Sequence, residues 1–69
     1  MMRLKDARTR AGLTQAQLAA LLHVSQAAVC YWESGIAQPR PDTRRHIQDI
    51  FGDVEYARAD RDNRDVEEE

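Results

Sequence analysis

Between Leu13 and Gly35 the chain reads LTQAQLAALLHVSQAAVCYWESG: two helical patterns of about nine residues, parted by only three, HVS. Thr14 and Gln17 stand at the spacing of a capping box, and Leu13 and Leu18 flank it at the spacing of a hydrophobic staple. Ser25 is a second N-cap, and Val24 with Val29 repeats the staple. Helices this short are marginal in water, so packing must hold them. A connection of three residues makes the pair cross steeply, as in a helix-turn-helix, and leaves the second helix with one face packed and one face free.

The pattern continues on both sides. Leu4, Ala7, Arg8 and Ala11 share one helical face, which predicts a first helix over about 3–11, stopped by Gly12. The second helix is expected over 15–22, with Leu18, Leu21 and Leu22 as its apolar face and Ala19 beside them. The third is expected over 26–34 and ends at Gly35. GIAQPRP is then a loop, and Pro41 suits the first turn of a fourth helix over 41–51, with Ile47, Ile50 and Phe51 apolar and Gly52 at its end. Where the other three helices end in Gly, the second ends in His23, a residue type enriched at positive φ. Val54, Tyr56 and Ala57 suggest a short fifth helix, and beyond about Asp60 the tail reads as solvated chain. No strand pattern is visible.

Composition narrows the function. Sixty-nine residues make one small domain, which buries little of its surface. The lone Cys30 cannot form an internal disulfide and suggests a reducing compartment. The start becomes charged at residue three, unlike a secretory leader, and no apolar run approaches the ~20 residues of a membrane span. These features read as a cytoplasmic protein without membrane attachment. The net charge of −2 hides a split: residues 1–51 hold seven Lys/Arg against four Asp/Glu, and residues 52–69 three against eight. A weakly basic body suits a polyanion. The acidic tail opens a second reading, a protein-interaction module or antitoxin whose tail engages a basic partner. His23, Cys30 and His46 lack zinc-ligand spacing and no Gly-rich loop follows a strand, so an enzyme, a cofactor and a metal site are not expected.

At 100° per residue, Ser25, Ala28, Val29 and Trp32 cluster on one arc of the third helix. Gln26, Ala27, Cys30, Tyr31 and Ser34 fall on the opposite arc, which is narrow, polar or small, and free of acid. Such a face suits the major groove of DNA, which admits one α-helix and displays a distinct donor and acceptor pattern for each base pair. A Gln26 amide matches adenine N6 and N7, the Ala27 methyl matches a thymine methyl, and the Tyr31 hydroxyl reaches a base edge or a phosphate. Ser25 is a phosphate candidate besides its cap role, and Cys30 reads as a small side chain near DNA.

The run LTQAQLAALLHVSQAAVCYWESGIAQPRP resembles the phage Cro and repressor type of helix-turn-helix domain, the XRE family. The shared pattern is L-T-Q-x-x-L-A-x-L-x-x-V-S-x-x-x-V-x-x-W-E-x-G, followed by a Pro-containing loop and another helix, and the likeness covers about residues 3–52. It implies an all-α, lambda-repressor-like compact bundle of four or five helices over residues 1–52, with an acidic tail over 53–69. It also implies operator binding on double-stranded DNA as a homodimer. By the resemblance, Gln15 meets a DNA phosphate, Arg40 lies in a loop that approaches the backbone or minor groove, and Arg8 with Glu33 forms a partly buried ion pair. Three departures stand out: His23 replaces a common Gly, Arg44 a common aliphatic residue, and the segment after Gly52 lacks the usual apolar fifth helix. Taken together, the expectation is a sequence-specific regulator, a repressor of phage or mobile-element type on a palindromic operator.

Overall fold

The computed structural model describes residues 1–57. Its elements run β1 (Met2–Arg3), α1 (Leu4–Arg10), α2 (Gln15–Leu22), α3 (Gln26–Ser34), α4 (Pro41–Phe51) and β2 (Val54–Glu55). The four helices match the sequence expectation to within a residue at each end, and the fold is all-α in its body.

The short turns work because one residue serves two helices. Gly12 takes φ 76° after α1, and its N–H donates to the Thr9 carbonyl while that of Leu13 donates to Arg8. This is the paired closure of a Schellman motif. Leu13 then staples α2 from its N-terminal side, and it packs against the core. The same device recurs eleven residues on. His23 takes φ 60°, ψ 43°, with His23 N–H on the Ala20 carbonyl and Val24 N–H on Ala19. Val24 closes α2 and staples α3, so three residues suffice for the turn. Both caps form as their spacing predicts: Thr14 and Gln17 exchange hydrogen bonds of 3.0 and 2.8 Å, and the Ser25 hydroxyl accepts from the Ala28 N–H at 3.1 Å.

Leu4, Leu18, Ala19, Leu22, Val29, Trp32 and Ile47 form the buried core. Three expected core positions lie outside it. Leu21 is 47 % exposed, because the buried arc of α2 centres between Leu18, Ala19 and Leu22, and Leu21 sits some 100° away from that centre. Ile50 is 38 % exposed for the same reason, on the flank of an arc defined by Ile47 and Phe51. Ile36, which follows the left-handed Gly35, is 67 % exposed. Ala11 is exposed as well, ending α1 as its cap rather than joining its buried face.

The expected helix at 54–57 is absent. Val54 and Glu55 instead pair in parallel with Met2 and Arg3, Met2 opposite Val54 and Arg3 opposite Glu55. Two residues per strand are too few to show alternation in a sequence, which is why no strand pattern was visible. Val54 and Tyr56 pack on the core through this pairing. Arg44 accordingly does not go inward: its guanidinium lies 5.2 Å from the centroid of the Tyr56 ring and donates to Gln38 Oε1 at 3.1 Å. The expectation of solvated tail beyond Asp60 lies outside the described residues.

One polar network ties α1, the α1–α2 turn, α2 and α3 together. Arg8 is a buried charged residue of α1, and its Nε and Nη2 donate to the two carboxylate oxygens of Glu33 at 2.6 and 3.0 Å. Its Nη1 donates to the Leu13 carbonyl at 2.8 Å, and Gln15 Nε2 donates to Glu33 Oε1 at 3.0 Å. The side chains of Arg8 and Glu33 are only 10 % and 5 % exposed. Burial pushes the Glu33 carboxyl up, but the hydrogen bonds from Arg8 and Gln15, with the charges of Arg8 and Lys5, outweigh it and hold the group below its ordinary value of 4.5.

Arg8→Ala strands the Glu33 carboxylate and should cost ~3 kcal/mol or more, comparable with the whole stability of a core this small. Replacing both partners, Arg8→Met with Glu33→Leu, should recover most of that loss in urea unfolding. Because folding lowers the Glu33 pKa, the pair stabilises fully above pH 4.5 and fades as pH falls further, so the double variant should show a flatter acid limb. At the turn, His23→Val should cost ~1–2 kcal/mol, since a β-branched residue resists the left-handed conformation, and His23→Asn should be near neutral.

Candidate nucleic-acid interface

The structure divides α3 along the two arcs. Val29 is fully buried, Trp32 is 6 % exposed and Ala28 is half-buried. Ser25, Gln26, Ala27, Cys30, Tyr31 and Ser34 are exposed, with Tyr31 at 45 %. Glu33, the one acid of α3, lies sideways in the Arg8 fork and is neutralised there. The outward face of α3 therefore carries no carboxylate, a condition for approaching a polyanion. Ser34 donates to the Cys30 carbonyl at 2.9 Å, which keeps its hydroxyl on the helix backbone.

The neighbouring candidates flank this face. Ser25 uses its oxygen to accept from Ala28, so its hydroxyl proton is left to donate elsewhere. Arg40 precedes α4 in extended conformation, is exposed, and makes no cap bond with its side chain. Gln15 opens α2 and is half-buried, with its amide nitrogen on Glu33 rather than turned wholly to solvent. Sequence spacing gave no sign of that link: the two residues lie 18 positions apart, and only the packing of α2 on α3 brings them together. The Arg8–Glu33 contact, by contrast, was expected from the resemblance.

At the start of α2 the capping box fills two of the four main-chain N–H groups that a helix leaves unpaired, those of Thr14 and Gln17. The N–H groups of Gln15 and Ala16 have no acceptor among the described residues. They lie at the positive end of the helix dipole, where an anion is favoured.

Among the described residues, no three His, Cys, Asp or Glu side chains gather as metal ligands, and no helix is long and apolar enough to cross a membrane.

The helix-turn-helix family model matches residues 4–52, from the first residue of α1 to the glycine after α4. No curated protein and no solved structure matches the chain. The family model spans well over half of the sequence, and its extent coincides with the four helices, the two Schellman turns and the buried Trp32. The chain belongs to the Cro/C1-type (XRE) helix-turn-helix family of DNA-binding transcription regulators.

Proposed function

We propose that the protein is a sequence-specific repressor that inserts α3 into the major groove and binds a palindromic operator as a homodimer. The observation that carries this reading is the acid-free outward face of α3, where Gln26, Ala27, Cys30 and Tyr31 are exposed beside a neutralised Glu33. In this role Gln26 reads adenine through its amide, Ala27 contacts a thymine methyl, and Tyr31 reaches a base edge or phosphate. Ser25 and Gln15 hold phosphates, and Arg40 meets the backbone or minor groove beside the α3–α4 loop. Cys30 contributes a small side chain at the contact.

Few base contacts come from one short helix, so two copies on half-sites about 34 Å apart supply the specificity that one lacks. The reading of the acidic tail as a docking segment for a basic protein partner concerns residues outside the described ones, and no feature of residues 1–57 favours it over DNA binding.

Selection of bound duplexes from a random pool tests the proposal. The selected sites should be palindromic, with half-site centres one helical turn apart. In fluorescence anisotropy, Gln26→Ala should lose ~1–3 kcal/mol on the selected duplex and little on a random one. Affinity for both should fall steeply with salt. Equal losses on the two duplexes would remove Gln26 from base reading, and a non-palindromic consensus would remove the homodimer.

A further inference from the structure

The geometry points to Glu33 as a positioning residue for DNA: it aims the Gln15 amide at a backbone phosphate while taking no part in the contact itself. The inference rests on the proposed DNA-binding role of Gln15 and deepens it.

Four hydrogen bonds support it. Glu33 Oε1 receives Gln15 Nε2 at 3.0 Å and Arg8 Nη2 at 3.0 Å, while Oε2 receives Arg8 Nε at 2.6 Å. A carboxylate held in its ionised form can only accept, so it selects the nitrogen of the Gln15 amide and turns the amide oxygen away. The fork in turn is fixed on its far side by Arg8 Nη1 on the Leu13 carbonyl at 2.8 Å, one residue before the Thr14 cap of α2. The orientation of Gln15 is thereby referred to the backbone that starts its own helix.

The consequence is a matter of donor count. An amide nitrogen carries two N–H groups, and Glu33 uses one. The second diverges from it and is left for an acceptor outside the domain. Phosphate oxygens only accept, so an amide presented oxygen-first would repel them. Unrestrained, Gln15 would sample both flips and several rotamers, and binding would bear the cost of ordering it. With Glu33 in place, the donor is oriented before DNA arrives. Glu33 thus has two effects: its charge is cancelled by Arg8 inside the domain, and its oxygen sets the polarity of a surface amide. The sequence did not disclose the second.

A double-mutant cycle with Gln15→Ala and Glu33→Gln, read by anisotropy on a labelled duplex of random sequence, tests this. Random sequence suffices because a phosphate contact is independent of base identity. Thermal melts of each variant select a temperature at which all four proteins are folded, and Glu33→Asp serves as a second variant should Glu33→Gln melt too low. Gln15→Ala should weaken binding ~10–100-fold, the worth of one hydrogen bond to a charged group. The change at Glu33 should weaken binding ~3–10-fold in the wild-type background and less than about twofold when Gln15 is already Ala. A merely structural role, or a long-range effect of the lost charge, would act equally in both backgrounds, and that result overturns the proposal. If Gln15→Ala leaves affinity unchanged, Gln15 is no phosphate contact and the positioning role falls with it. If the wild-type protein binds no duplex, the proposed function itself has failed, a result distinct from either.

Discussion

The fold depends on a buried charge that must find its partner. Among the described residues, Arg8 is the sole buried polar or charged one and Glu33 is the only carboxylate its guanidinium meets. Neither can be left alone in the interior without a penalty comparable to the stability of the domain. Satisfying both requires the last turn of α3 to lie against the middle of α1, with the α1–α2 turn held on the same guanidinium through Leu13. That requirement fixes how α2 and α3 cross, and the crossing decides which face of α3 is left outward. The apolar core supplies the driving force, but apolar contacts are not directional and do not select one crossing so strictly. The ion pair, whose net contribution to stability need not be large, acts here on geometry.

The turns complete the constraint. A helix of eight residues joined by three to one of nine has no slack. The left-handed His23 lets the chain reverse within hydrogen-bonding distance of the helix it has just left. Because Leu13 and Val24 each close one helix and staple the next, helix ends and core packing are established by the same side chains. The parallel pairing of Met2–Arg3 with Val54–Glu55 draws the segment after α4 back to the start of α1. It brings Val54 and Tyr56 onto the core, where a fifth helix was expected to pack.

What the sequence disclosed and what it hid differ in range. Caps, staples and left-handed stops are local, with partners within five positions, and Thr14, Gln17, Ser25 and His23 all behave as their spacing predicts. The two faces of α3 were also legible, since at about 100° per residue Trp32 falls about 100° from Tyr31 and about 120° from Gln26. Arcs were read less well at their edges: Leu21 and Ile50 look apolar enough for the interior, yet neighbouring helices reach only the centre of each arc. Contacts that depend on the crossing left no trace in the sequence itself. The Gln15–Glu33 hydrogen bond spans 18 positions and the Gln38–Ala57 bond 19, and neither follows from a periodicity. The β pair, two residues a side, is too short to announce itself.

The proposed DNA-binding surface is the uncharged face of α3, held in place by α1 and α2. Titration of the 15N-labelled protein with a duplex, followed by amide chemical shifts, tests it most directly. The largest changes are expected along Gln26, Ala27, Cys30 and Tyr31, with smaller ones at Gln15, Ser25 and Arg40 and none across Met2–Arg3. Shifts concentrated on β1 and β2 or on the outer face of α4, with α3 unperturbed, would contradict it.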